Sequence, residues 1–404
     1  MAANKGKWLA EILQEYSTQK YFIEYQGFKS NHMAHGIVAL NELGASQTKI
    51  GEFAKWCTKL LEPPEHPDHT GEDPDTPPVS DQTLPDLLGK RKSYYGIRNN
   101  YISKLNTCGS LEDVIKAEFP KLSRGLGCVA MHGLIQLGYG FHAGHGTVVS
   151  EGLAYMHHSY QPIIFDETKA ESDIENFGKG DTDVLDILSE MKADSSLRQH
   201  MLDGALVNKK LGKYLGDGFS NRFVFLTNNS GDILLQYANR INIPFTRDGI
   251  TETEFLINLS DWLTDQAIAV YAMSERQNDF FLLHGVTSAW SLRQIIPYLC
   301  PKDAMDAMRT FACDLMAVYL TVDAPALTKA ITTDAGSVTD ETWREIVDTL
   351  LTQELDPHEE HLLKLVHVCL AQWKNNKLSS KAGFYVDAAK SCLIHKMSFC
   401  TYEE

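Results

Sequence analysis

A 404-residue chain with 43% hydrophobic and 10% aromatic residues has enough apolar material for a large globular fold, which excludes disorder over its whole length. Its formal charge of −16 and pI near 5.4, with no basic stretch longer than "GKRKS" at 89–93, exclude a surface that tracks phosphates, so no nucleic-acid partner is expected. No run approaches a membrane span, the first residues lack a signal-type apolar core, and eight cysteines without a C-x-x-C read as reduced small hydrophobes, so a cytoplasmic protein without a membrane partner is expected.

Apolar residues return every three or four positions over 32–43 and 46–61, which predicts two helices. Residues 62–86 follow with seven of the fourteen prolines and several acids, a composition that neither helix nor central strand tolerates, so a long acidic surface loop is predicted. "CGSLEDVIKAEF" places Ser110 and Asp113 in capping-box spacing and predicts the start of another helix. Helical spacing then recurs over 123–141, 147–158, 260–275, 280–299, 302–320, 341–353, 357–373 and 382–396, with a polar connection expected over 160–182. Alternation with a period of two is scarce. The predicted fold class is mostly α, a single large multi-helix domain over residues 1–404.

Three of the predicted helices carry a His-Gly step: His35 in "NHMAHGIVALNELGAS", His132 in "AMHGLIQL" and His284 in "LLHGVTSA". Glycine costs roughly 1 kcal/mol in a helix interior, so its recurrence asks for something that approaches closely. His132 and His284 lie in apolar runs, where a buried imidazole needs partners for both nitrogens. Gln136 and Ser288, each four residues on, would serve a core histidine; a shared metal is the other reading. His32 and His35 share a helix face, as do His142 with His145 and His358 with His361, while His66 and His69 in the proline-rich loop read as solvated.

In "HLLKLVHVCL" only Lys364 and His367 interrupt an apolar run. Glu360, Lys364, His367 and Lys374 would form an outer polar stripe, or His361 and Lys364 point inward together. A buried ammonium tends to deprotonate, and a neutral amine takes up carbon dioxide as a carbamate, an oxygen ligand for a hard metal. Nucleophile elbows, H-E-x-x-H and phosphate-binding glycine loops are missing, and "GYGFHAGHG" at 138–146 has the wrong spacing for a dinucleotide loop.

The four blocks "NHMAHGIVALNELGAS", "LSRGLGCVAMHGLIQLGYGF", "LLHGVTSAWSLRQIIPYL" and "HLLKLVHVCL", in this order and spacing, resemble the questin oxidase-like family. The resemblance implies a mostly helical fold and a mononuclear non-haem iron centre of four histidines and a carboxylated lysine. It also implies oxidative opening of anthraquinone-type rings. Carried over block by block, the implied metal ligands are His35, His132, His284 and His361, with Lys364 as the carboxylated lysine and a participant in catalysis. His35 is preferred to His32 because it carries the following glycine; His32 then becomes a catalytic residue beside the metal, a partner of a ligand or a substrate contact.

The implied cofactors are Fe(II), a carbamate on Lys364 derived from carbon dioxide, and molecular oxygen as co-substrate; NADPH has no motif to support it. Glu42, Gln136 and Ser288 are candidate acceptors for the far imidazole nitrogens. Tyr94, Tyr95, Phe141, Tyr155 and Trp290 are candidate walls for a small aromatic substrate, or core packing. The expected function is that of an oxidoreductase, an oxygenase that inserts oxygen into and cleaves an aromatic or quinonoid ring of a polyketide-like molecule. A metal-dependent hydrolase or isomerase on the same ligands, and a helical protein without catalysis, are the alternatives.

Overall fold

The computed structural model describes residues 2–66, 73–166, 176–210, 218–353 and 360–394. His69 and His358 lie outside the described residues. In chain order come α1 (Ala2–Glu15), a hairpin of β1 (Glu24–Tyr25) and β2 (Lys29–Ser30), α2 (Met33–Glu42), α3 (Gln47–Cys57), α4 (Tyr94–Cys108) and α5 (Leu111–Leu122). Next are α6 (His132–His142), α7 (Gly146–His158), α8 (Val184–Ala193), α9 (Ser195–Lys210), α10 (Phe219–Asn229) and α11 (Gly231–Asn239). The last six are α12 (Glu252–Met273), α13 (Phe280–Ile295), α14 (Pro301–Thr321), α15 (Asp340–Thr352), α16 (Glu360–Asn375) and α17 (Ala382–Ile394). The chain is mostly α, and the one sheet among the described residues is the antiparallel hairpin that pairs Glu24 with Ser30 and Tyr25 with Lys29.

Local chemistry starts several of these helices where expected. The Ser110 hydroxyl accepts a hydrogen bond from the Asp113 amide at 3.1 Å and opens α5, and Ser46 does the same for α3 through Lys49 at 3.2 Å. Thr251 and Glu254 form a reciprocal capping box at the head of α12. The described part of the proline-rich segment lies on α4, held by the amides of two neighbouring side chains. Asn99 donates to the carbonyls of Pro74 (3.1 Å) and Thr76 (2.7 Å), and Asn100 donates to that of Val79 (2.6 Å).

One predicted helix is shorter than its pattern. Residues 123–131 form two tight 3-10 turns, and α6 begins only at His132. Apolar spacing continues through both, but Val129, Ala130 and Met131 have φ of 46°, 53° and 68°, a left-handed turn that ends any right-handed helix. The glycines of α6 then serve packing. A Cβ at Gly140 would stand 2.9 Å from the Val148 carbonyl carbon, and one at Gly133 would stand 2.9 Å from the Met156 nitrogen, so α6 and α7 run antiparallel, backbone against backbone. Gly138 opens the other side of α6, where its Cβ would meet Ser291 Cα of α13 at 2.5 Å. These two approaches set α6 firmly between α7 and α13. Buried apolar residues from α1 to α17 make one contiguous core, and α2, near the start of the chain, packs on α16, near its end.

Candidate metal centre

Four helix beginnings meet inside this core. His32 is the N-cap residue of α2, following Asn31, whose side-chain oxygen accepts from the Met33 amide at 3.0 Å. His132 is the first residue of α6, directly after the left-handed turn, and its Nδ1 donates back to the Val129 carbonyl. Left-handed backbone costs about 1–2 kcal/mol for each non-glycine residue, so the turn is held by the packing around it. His284 lies five residues into α13, whose start is fixed by the Asp279 carboxylate accepting from the amides of Phe281 (2.9 Å) and Leu282 (3.0 Å). His361 is the second residue of α16.

One nitrogen from each of His32, His132, His284 and His361 lies within 4.8 Å of the other three, and all four side chains are buried. The Nε2 atoms of His132 and His284 are 2.9 Å apart. Their far nitrogens settle what those atoms carry. Nδ1 of His132 faces the Val129 carbonyl and Nδ1 of His284 faces the Phe280 carbonyl at 2.6 Å; a carbonyl only accepts, so each Nδ1 holds the ring hydrogen. Each Nε2 therefore presents a lone pair to the other. Only a proton or another cation between them makes that approach favourable. Burial, and then the Lys364 charge, push His132 down to about 3, while burial, His132 and Lys364 hold His284 well below the ordinary imidazole range. Protonation is thus disfavoured, and a metal ion is the natural complement.

The other two histidines have the same character. His32 Nδ1 donates to Glu360 Oε1 at 2.5 Å, which leaves a buried Nε2 with no hydrogen-bond partner among the described residues. A carboxylate behind a ligating imidazole fixes its tautomer and raises its basicity. Both ring nitrogens of His361 are buried without such a partner. The ring centroids of His32 stand 4.6 Å from His132 and 4.5 Å from His361, and Phe280 covers His284 at 4.4 Å and His361 at 4.7 Å. Unpaired buried nitrogens in this number are costly without an ion, and converging neutral imidazoles are good metal ligands, so the residues fit a metal.

His35 follows one turn along α2, its ring 5.5 Å from His32 and 5.8 Å from Tyr139; both its ring nitrogens are also buried without a hydrogen-bond partner among the described residues, but it lies at the edge of the compact group that contains His32. The glycine after it does not single it out. A Cβ at Gly36 would strike the Phe53 ring of α3 at 2.2 Å, one at Gly133 would strike α7, and one at Gly285 would come 2.9 Å from Leu315 of α14. Each His-Gly step lets a helix from outside the cluster press on the helix that bears the histidine.

Lys364 is fully buried, and its amine has no hydrogen-bond partner among the described residues. The outer-stripe alternative for α16 fails, because Glu360, Lys364 and His367 are all buried and only Lys374 of that set is exposed. Burial pushes the Lys364 amine down to about 8 against the pull of Glu360, and burial raises the Glu360 carboxyl to about 7 against the pull of Lys364. Positive charge on Lys364 opposes protonation of all five histidines, His35 included.

Two expected partners sit elsewhere: Glu42 faces His142 at 3.6 Å, and Ser288 donates to the backbone carbonyl of His284 at 2.6 Å. Gln136 donates to Glu151 at 2.9 Å and lies beside the His35 ring. The far nitrogens turn instead to two backbone carbonyls and to Glu360, a residue whose only sequence signal is its place one helical turn before Lys364. Tyr94, Tyr95 and Tyr155 are core residues with bonded hydroxyls, such as Tyr95 to the Thr18 carbonyl at 2.6 Å. Phe141 packs on Tyr298, and Trp290 packs on Tyr139 and His367. His66 lies 3.7 Å from Glu62, and His145 caps α7.

Among the described residues no helix is long and apolar enough to cross a membrane. A comparison with curated proteins gave no match. The family model for questin oxidase-like proteins matches residues 29–369, a stretch that contains every helix start of the cluster together with Lys364. With most of its length matched, and with the histidine blocks inside the match, the chain belongs to the questin oxidase-like family.

Proposed function

We propose that this protein is an iron-dependent oxygenase that opens an aromatic or quinonoid ring of a polyketide-like small molecule. The observation that carries the reading is the pair of facing Nε2 lone pairs on His132 and His284, 2.9 Å apart within a buried four-histidine group, in a chain of an oxidase-like family. His32, His132, His284 and His361 would hold the metal. In this reading His32 takes the ligand role that the glycine spacing suggested for His35. His35, beside the group and backed by Tyr139, takes the place of a substrate contact.

Charge supports a carbamate on Lys364. His32, His132 and His361 stand at helix N-termini, where the backbone dipoles place partial positive charge. A divalent cation and an ammonium added to that field would be strongly unfavourable. Converting the amine to a carbamate replaces the positive charge with a negative one, and the buried unpaired position of Lys364 keeps its amine reactive. When bound, iron supplies the redox chemistry with molecular oxygen that the side chains lack. The chain itself holds the imidazole tautomers through Val129, Phe280 and Glu360, and Phe280 shields two of the rings from water.

Metal content and oxygen uptake, measured on protein purified without air and supplied with a hydroxyanthraquinone, test this reading. Stoichiometric iron with substrate-dependent oxygen consumption is the expected result. Bound metal with substrate turnover but no oxygen consumption would leave a hydrolase or isomerase in its place. Absence of metal after addition of Fe(II) and bicarbonate would leave a helical protein without metal chemistry.

A further inference from the structure

Tyr139 of α6 links the histidine cluster to a second set of rings. It stacks on His35 at 5.8 Å with 26° between the planes, and His35 stacks on His32 at 5.5 Å, so two ring contacts join Tyr139 to the cluster. On its other side lie Trp290 at 4.7 Å and His367 at 5.6 Å. The side chain is fully buried, and the 3.1 Å bond to His367 Nδ1 is the hydroxyl's one hydrogen bond among the described residues. A phenol has a single hydrogen, and leaving it unbonded in a core is costly, so Tyr139 donates and His367 Nδ1 holds a lone pair. Tyr101 makes the same pairing, its hydroxyl 3.0 Å from His157 Nδ1, but its ring contacts are to His157 and to the Lys104 ammonium. The two pairs share their chemistry and differ in place.

A phenol stripped of an electron becomes a very strong acid, so its oxidation is far easier when a base already holds the hydroxyl hydrogen. His367 is that base, and the His35 ring contact gives the electron a route to the cluster. We propose, resting on the iron reading above, that Tyr139 donates an electron to the metal centre while His367 Nδ1 takes its proton. The oxidant is iron that has reacted with oxygen or a hydroperoxide while no substrate is present. The Tyr139 O–H bond breaks, the electron reduces the centre by one equivalent, and the proton crosses the existing hydrogen bond. A neutral phenoxyl radical and a protonated His367 result. A small reductant in solution, of the ascorbate class, returns the electron, and His367 returns the proton. Tyr139 thereby discharges an oxidised centre before it attacks its own ligands.

Freeze-quench electron paramagnetic resonance tests the proposal on the full chain, loaded with Fe(II) and mixed with hydrogen peroxide in the absence of substrate. Wild type should give an organic radical signal that narrows when the protein carries ring-deuterated tyrosine. Tyr139→Phe should abolish that signal, and Tyr101→Phe should leave it unchanged. His367→Phe should lower the radical yield at unchanged iron content, and ascorbate should remove the signal in wild type. Should Tyr139→Phe fail to fold, 3-aminotyrosine at position 139, which is more easily oxidised, should trap the radical there and change its hyperfine pattern. Bound iron that peroxide oxidises without any tyrosine radical would overturn the proposal and leave the iron reading standing. A signal that survives Tyr139→Phe, or a full yield in His367→Phe, would overturn it as well. A chain that binds no iron would overturn both readings.

Discussion

The same four helices carry two histidine-rich groups, and they differ in one respect. Toward the starts of α2, α6, α13 and α16 lie His32, His132, His284 and His361; further along the same helices lie Glu42, Tyr139, His142, Trp290 and His367. In the second group the Tyr139 hydroxyl meets His367 Nδ1 at 3.1 Å, Glu42 faces His142 at 3.6 Å, and the Trp290 ring covers both imidazoles at 4.7 and 5.1 Å. In the first group the near nitrogens face one another or nothing. Both groups contain buried imidazoles and both follow helical spacing. What separates them is the partner of each nitrogen together with convergence: His35 and His158 also carry buried nitrogens without a hydrogen-bond partner among the described residues, but His32, His132, His284 and His361 bring theirs within 4.8 Å of one another.

The strongest way to break this comparison is to remove one histidine from each group. His284→Ala should lower metal affinity by about 100-fold or more and abolish oxygen uptake, because it deletes a ligand held by its own backbone bond. His367→Phe should keep the metal content of wild type by mass spectrometry of air-free preparations. Equal metal in both variants would dissolve the distinction between the groups.

Lys364→Met sharpens the comparison next, since Lys364 is the one buried amine beside the first group. Bicarbonate should raise iron loading of wild type and leave the variant unchanged, with about tenfold or more weaker binding in the variant. Unchanged loading in the variant would remove Lys364 from the ligand set. Glu360→Gln should cost about 10–100-fold in metal affinity, the ordinary effect of losing a carboxylate behind a ligating imidazole, with secondary structure by circular dichroism unaltered. Retention of wild-type affinity would make the bond between His32 and Glu360 merely structural.

These residues show how far a sequence reading reaches. Apolar periodicity located α2, α3, α7, α13, α14, α15 and α17, and the Ser110 signal located α5, because each depends on neighbours within a turn or two. The same logic passed over α1, α4 and the four helices from α8 to α11. α4 is rich in Tyr and Asn, and its inner face is buried with hydrogen bonds such as Asn100 to Val79. The choice between His32 and His35 was not legible, since both share a face. The structure adds a bond from His32 to Glu360, 328 residues away in the chain, which supports the reading of His32 as the ligand proposed above. The left-handed turn before His132 was equally hidden, because φ at Val129 leaves no trace in hydrophobic spacing. Inward placement of Lys364 was visible as an alternative, and only the packing of α2 on α16 decides it.

Acid should distinguish bonded neutral histidines from solvated ones. Burial lowers His157 to about 4 and His367 to about 3 from an ordinary 6.5. Burial holds His157 neutral against the pull of the Leu84 carbonyl, to which its Nε2 donates at 2.8 Å, while its Nδ1 meets the Tyr101 hydroxyl at 3.0 Å. Above pH 6.5 neither group affects stability. As pH falls below 6.5 the unfolded chain takes up a proton that the folded chain refuses, so stability declines by about 1.4 kcal/mol per pH unit for each histidine until its folded pKa is reached. Denaturant melts at pH 7.5 and 5.5 should therefore show a shallower decline for His367→Phe than for wild type, by about 1.4 kcal/mol. Equal declines would mean that His367 is protonated in the folded protein.

The smallest effect belongs at the outer end of the second group, where Glu42 and His142 are both about one-third exposed. The His142 ring beside it holds the Glu42 carboxyl down to about 2, against an ordinary 4.5, so any stabilisation from the pair is present above pH 4.5 and fades as pH drops toward 2. Solvent screens a pair this exposed, and Glu42→Gln should cost no more than about 1 kcal/mol at pH 7, with the difference shrinking in high salt. Thermal melts at low and high ionic strength measure it, and metal content should not move at all. A loss of metal in Glu42→Gln would connect the two groups through Tyr139 and His35. The four helices would then carry one extended site, and the partner of each nitrogen would no longer separate a metal centre from a satisfied core.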